Sequence, residues 1–145
     1  MKENYRQADP RWKNKKLGKS QYTMENYGCL TTICARIASW VEKKDITPGR
    51  LCDWLSDNRG YVDGLLVWDK LEAFCVPHLK YLGRSMLLGK WRADYIIRAV
   101  LWGKIVHFVS VLPNGQCYDP WDGKIKPIRQ SKWTLTNSYR YLKKI

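Results

Sequence analysis

Lys104-Ile105-Val106-His107-Phe108-Val109-Ser110-Val111-Leu112 leads into Pro113-Asn114-Gly115 and then Gln116-Cys117-Tyr118-Asp119. The first run is rich in β-branched residues and almost wholly apolar, the pattern of a strand buried on both faces. Pro113-Asn114-Gly115 turns the chain, and Gln116 to Asp119 returns as a partner strand. With Pro113 as the second residue of a type I turn and Gly115 in the left-handed position, the loop has three residues. Leu112 then stands opposite Gln116, and Val109 opposite Asp119. Asp119 thus lies on the face of His107, one diagonal step along the ladder. A two-residue Asn114-Gly115 turn would set Asp119 opposite Ser110, on the other face; Pro113 favours the first register.

His107 sits inside an otherwise apolar strand, where an unpaired imidazole is costly, so it needs a polar partner. A histidine in that position is more often bonded to a backbone carbonyl. A carboxylate on the same face offers a second arrangement, in which it orients the ring and stabilises the imidazolium.

Upstream of this hairpin the period changes. Leu30, Ile33, Cys34, Ile37, Trp40 and Val41 recur at helical spacing and predict an amphipathic helix from Cys29 to about Lys43. Gly28 precedes it, and Cys29 opens it. Unpaired N–H groups at a helix N-terminus, with the helix dipole, favour a thiolate, the reactive form of cysteine. On the helical wheel Cys29 falls at the edge of the apolar stripe, where a side chain can face a cleft, whereas Cys34 falls inside it. A cysteine that opens a helix is nonetheless more often structural, so Cys29 needs its partners to argue for chemistry.

Further helices are expected over Thr47–Asp57, with Thr47 as N-cap and Pro48 in the first turn, over Leu65–Phe74, and over Arg92–Leu101, ended by Gly103. The first 28 residues read as irregular, and short strands are expected at Lys124–Ile128 and Tyr139–Lys143. Helices first and a sheet afterwards predict an α+β domain. At 145 residues, 45% of them hydrophobic, one domain over 1–145 can bury a real core.

Five cysteines, an odd number without paired spacing, predict free thiols and not a disulfide framework. Cys75-Val76-Pro77-His78 resembles half of a zinc site, but no second pair accompanies it, so no metal or other cofactor is expected. Most of the eight tryptophans, Trp40 and Trp54 among them, read as packing.

The net charge of +13 is uneven: residues 1–20 contribute +5 and residues 121–145 contribute +6, leaving the middle nearly balanced. Basic ends serve solubility, or they attract a polyanion such as a cell-wall polymer or, as a weaker expectation, nucleic acid. No stretch approaches the roughly 18 apolar residues of a membrane helix. The N-terminus lacks the apolar run of a signal peptide. The expectation is a chain cytoplasmic as made, without membrane insertion.

Tyr5-Arg6-Gln7-Ala8-Asp9-Pro10-Arg11-Trp12, Leu17-Gly18, Thr23, Tyr27-Gly28-Cys29, His107-Phe108-Val109 and Asp119-Pro120-Trp121-Asp122-Gly123 stand in order over residues 5–123. Together they resemble the papain-like family related to bacteriocin-leader (double-glycine) cysteine peptidases, many members of which occur in bacterial and phage cell-wall proteins. The resemblance implies a helical N-terminal part, with the nucleophile at a helix N-terminus, packed on a small antiparallel sheet. It implies Cys29 as nucleophile, His107 as general base and acid, Asp119 as the orienting residue, and Gln7 in the oxyanion hole. Trp12 and Trp121, within the same motifs, are expected to flank a substrate cleft.

Relatives usually carry an extra strand between a Leu-x-x-Gly segment and the histidine strand. Here Leu101-Trp102-Gly103 runs almost directly into Ile105, so either the sheet lacks a strand or the helix end replaces it. Residues 124–145 extend past the resemblance.

The implied function is a cysteine peptidase or amidase acting through a thioester, with a peptide of bacterial peptidoglycan as the expected substrate. Two alternatives stand beside it. One is a leader-peptide protease. The other is a catalytically silent module of the same fold that binds polyanions through its basic ends.

Overall fold

A computed structural model describes residues 4–89 and 91–145. The chain is α+β, with four helices and eight strands among the described residues. The first helix, α1 (Met24–Tyr27), is a single turn within the segment expected to be irregular. It leads through Gly28 into α2 (Cys29–Glu42), which ends at Lys43 in the left-handed conformation, φ 54°. Helix α3 (Pro48–Asp57) begins as its sequence demands: Thr47 Oγ1 accepts from the Arg50 N–H at 3.1 Å, and Pro48 needs no donor at the first helical position.

The expected helix Leu65–Phe74 divides. Leu65–Leu66 is strand β2, paired with β1 (Tyr61–Val62), and only Trp68–Phe74 forms helix α4. Asp63 and Gly64 at the tip of this hairpin both have positive φ, 50° and 79°. Asp-Gly is the dipeptide that a two-residue hairpin turn prefers, so the signal was present in the sequence.

The main sheet has six antiparallel strands: β3 (Leu79–Ser85), β4 (Tyr95–Trp102), β5 (Ile105–Val111), β6 (Gln116–Asp119), β7 (Lys124–Pro127) and β8 (Thr134–Lys144). Their spatial order is β3-β8-β4-β5-β6-β7. The helix expected over Arg92–Leu101 does not form. Tyr95–Trp102 is a strand, paired on one side with β5, Trp102 facing Ile105, and on the other with β8. Placed between two strands, β4 carries apolar side chains on both faces, Arg98 excepted, and that obscures the period-two alternation by which strands are read. This strand directly precedes the histidine strand and pairs with it. Residues 124–145 supply β7 and β8, and β8 holds β3 to β4.

Helix α2 packs on β5, with Ile33, Cys34, Ile37 and Ala38 buried against Ile97, Tyr118 and Leu142 of the sheet. Burying a side chain such as Ile33 or Ile37 fully contributes about 1.5–3 kcal/mol. Trp40, expected in the packing, is 46% exposed on the far side of α2.

The β5–β6 turn takes the expected register by a different route. Val111 faces Cys117 and Ser110 faces Tyr118, as the three-residue loop requires. Yet Asn114 and Gly115 both have positive φ, 63° and 72°, as a type I′ turn demands, and the Gln116 N–H donates to the Pro113 carbonyl. The Leu112 N–H also reaches the Gln116 carbonyl, at 2.9 Å. Leu112 and Pro113 together therefore oppose Gln116, a bulge that restores the register which the tight turn would have shifted.

Candidate active site

Cys29 is the first residue of α2, where a peptide N–H has no intrahelical acceptor. Its neighbour Gly28 has an ordinary φ of −85°, so the requirement for glycine there is spatial. A Cβ on Gly28 would lie 2.5 Å from the Met24 carbonyl oxygen and 2.8 Å from the Met24 sulfur. Bare backbone at residue 28 lets α1 abut α2 and sets Cys29 at the junction.

Opposite Cys29 is His107 of β5; both line one cleft, and the cysteine side chain acts electrostatically on the imidazole. His107 Nε2 lies 2.7 Å from Asp119 Oδ1. The structure therefore brings together Cys29, His107 and Asp119 in that order. Asp119 is fully buried; its Oδ1 also accepts the Trp121 N–H at 3.0 Å, and its Oδ2 accepts from Lys126 Nζ at 2.9 Å.

These contacts set the charges. Burial alone would lower the His107 pKa, but the hydrogen bond to Asp119 and the electrostatic action of Cys29 and Asp119 outweigh it and raise the value to about 9. Burial would raise Asp119; the hydrogen bonds from His107, Lys126 and the Trp121 N–H prevail and bring it to about 2. At neutral pH the pair is imidazolium and carboxylate. All five cysteines are buried free thiols, Cys29 at 8% exposure where it meets the cleft. Burial pushes Cys75 and Cys117 up to about 12 and also raises Cys34 and Cys52.

Gln7 is buried and lines the same cleft as Cys29. Its peptide N–H donates to the Pro120 carbonyl at 2.8 Å, and its Nε2 donates to the Glu25 carbonyl at 2.9 Å. Oε1 has no hydrogen-bond partner among the described residues. One N–H of the side-chain amide remains for another acceptor.

A cleft of about 970 Å³ opens over Cys29 and His107. Trp121 lies on its rim, 43% exposed, as expected for a cleft residue. Trp12 does not flank it: this ring is buried against Tyr5, at 5.2 Å between centroids, and donates its indole N–H to the Arg6 carbonyl. The motif tryptophan at that position packs the N-terminal segment that carries Gln7. The start of β5, expected to be buried, forms part of the rim instead, with Ile105 and Val106 exposed. Tyr22, Tyr27 and the β1–β2 hairpin line the cleft as well.

Three contributors escaped the sequence reading. Trp102 and Trp133 each stand about 6.1 Å from the His107 ring and shield it. Lys126 bridges Asp119 to Asp122, 2.6 Å from Asp122 Oδ2. Lys126 was within reach of strand alternation: Asp119 faces Lys124 across the β6–β7 hairpin, so Lys126 two residues on shares its face. The cysteine and histidine of the Cys75–His78 segment have no metal-binding company, since no group of three or more ligand side chains occurs among the described residues. There His78 Nδ1 lies 3.2 Å from the Glu42 carboxylate. No described helix is long and apolar enough to cross a membrane. Comparison with family models, with characterised proteins and with solved structures finds no match to this chain.

Proposed function

We propose that the chain is a papain-like cysteine peptidase or amidase, cutting an amide bond through a thioester at Cys29. The observation that carries this reading is the run of contacts from Cys29 at a helix N-terminus through His107 to the buried Asp119, facing an open cleft. The Cys29 sulfur, as thiolate, attacks the substrate carbonyl carbon, and the imidazolium of His107 gives its proton to the departing amine. The neutral imidazole then takes a proton from water as that water attacks the thioester, and Cys29 leaves as thiolate, restoring the thiolate–imidazolium pair. The Cys29 peptide N–H and the remaining N–H of Gln7 Nε2 are the donors for the oxyanion. Asp119 keeps the ring oriented and charged.

The substrate is a peptide linkage of bacterial peptidoglycan, and the excess of cations holds the protein on anionic wall polymer. On the β3–β8 edge, Arg84 faces Arg140 directly across the strands, a like-charged pair that an anion would relieve. Digestion of purified peptidoglycan with wild type and Cys29→Ala, read by mass spectrometry, tests the proposal. New amine and carboxyl ends should form only with wild type. A second reading, cleavage of linear polypeptide such as a leader sequence, is favoured by the exposed Leu65, Ile105 and Val106 on the cleft walls, which suit bulky apolar side chains. A denatured-protein peptide pool in a parallel digest separates the two.

A further inference from the structure

Asp119 has more partners than an orienting carboxylate needs for one histidine. Its Oδ1 receives His107 Nε2 and the Trp121 N–H; its Oδ2 receives Lys126 Nζ. The carboxylate cannot turn without losing one of these bonds. Lys126 is itself placed between two acids, 2.9 Å from Asp119 Oδ2 and 2.6 Å from Asp122 Oδ2, with its side chain only 14% exposed. A lysine held that far from water against a fully buried carboxylate does more than a surface ion pair, which solvent and salt would weaken.

We propose that Lys126 is the positioning residue of this site, fixing the second oxygen of Asp119 and offsetting part of its charge, so that it sets the pH range over which His107 remains an imidazolium. The catalytic meaning of this inference rests on the peptidase reading; the electrostatic coupling does not.

The charged groups around His107 come from several elements. Cys29 faces it from α2, and Asp119 from β6. Behind Asp119 stand Lys126 of β7 and Asp122 of the turn. Lys132, just before β8, lies 4.8 Å over the Trp102 ring and 5.2 Å over Trp133, outside the aromatic wall. Lys126 is thus the cation bonded to the carboxylate that holds the ring, and Asp122 competes for it. The two neighbours should act on His107 with opposite sign. Without Lys126 the full charge of Asp119 falls on His107 and strengthens the imidazolium. Without the charge of Asp122, Lys126 is drawn wholly to Asp119 and weakens it.

The chain has two histidines, so ring C–H signals in an NMR titration of the whole protein are readily assigned with His78→Gln. Wild type, Lys126→Met, Lys126→Arg and Asp122→Asn are titrated, with thermal unfolding recorded for each. The expected result is a His107 midpoint about half a pH unit or more higher in Lys126→Met, lower in Asp122→Asn and near wild type in Lys126→Arg. The alkylation rate of Cys29 against pH should move in the same directions. Displacements of the same sign in Lys126→Met and Asp122→Asn, or none in either, would overturn the inference and leave Lys126 a packing residue. If Lys126→Met does not fold, Asp122→Asn decides by its sign, since that acid is partly exposed and at a turn. Hydrolysis is not read, so these midpoints stand apart from whether the substrate assignment survives.

Discussion

The Gln7 peptide N–H donates to the Pro120 carbonyl, 2.8 Å away, so the N-terminal segment is fastened to the residue that follows Asp119. The Tyr118 hydroxyl, donating to the Tyr5 carbonyl, ties the same segment from the other side of Asp119. Two ends of the chain more than a hundred residues apart are thereby assembled around one carboxylate.

This seam makes Gly123 a sensitive position. Its φ is +74°, and a Cβ there would lie 2.9 Å from the Asn4 carbonyl oxygen and 3.3 Å from Tyr5 backbone atoms. Gly123→Ala meets both a backbone conformation that costs about 1–2 kcal/mol and a clash with the N-terminal segment carrying Gln7. Thermal unfolding should fall by several degrees, and activity at a temperature where the variant is fully folded should fall further than Gly115→Ala, whose Cβ meets open space.

Iodoacetamide at pH 6 distinguishes Cys29 from the other thiols. Cys34, Cys52, Cys75 and Cys117 are buried and held protonated by that burial. Peptide mapping after brief exposure should find the label on Cys29 at a rate at least ~10² above the rest, because only thiolate reacts. Uniform slow labelling would contradict a nucleophile at Cys29.

Asp119→Asn keeps the shape and removes the charge. With Lys126 left facing a neutral amide, the imidazolium of His107 loses its support, and kcat should drop by roughly 10²–10⁴ at pH 7. An undiminished rate at neutral pH, measured on the substrate that wild type cuts, would remove Asp119 from the mechanism.

Folding stability should carry the same signature. His107, raised to about 9 from 6.5, contributes stability that is complete below 6.5 and disappears as the pH rises through 9. Asp119, lowered to about 2 from 3.8, contributes stability that is complete above 3.8 and disappears as the pH falls through 2. Unfolding temperature should therefore peak between about pH 4 and 6.5, and His107→Gln should flatten the alkaline decline. A decline that persists unchanged in His107→Gln assigns it to other groups.

Gln7→Ala tests the oxyanion donor. Loss of one such donor typically costs about 10²–10³ in kcat with KM little changed. Because Nε2 also holds the Glu25 carbonyl, Gln7→Glu is the companion variant: it keeps the volume and loses the donors. A rise in KM alone in both would make Gln7 a substrate contact.

The amino-acid order by itself determined the parts of the site that depend on local geometry. Glycine followed by an apolar helical stripe set the start of α2 at Cys29, and the Pro-Asn-Gly loop put Asp119 on the face of His107, even though the turn reaches that register through a bulge at Pro113. Local rules suffice there because a cap and a hairpin register involve neighbours within a few residues. The α+β class followed from the same patterns. Tertiary structure decided the rest. Apart from Arg98, residues 95–102 carry side chains compatible with either a helix or a buried strand; pairing with β5 and with the distant β8 selects the strand. Trp40, placed in the core by its helical spacing, is exposed, and Trp12, placed at the cleft by the resemblance, is buried, because which side of a segment is covered depends on what packs there. The meeting of Cys29 and His107 in one cleft likewise requires α2 to lie on β5, a contact across nearly eighty residues that no local period encodes. Lys126 belongs with them: its charge acquires meaning only where a third strand brings it beside a carboxylate already sealed from water.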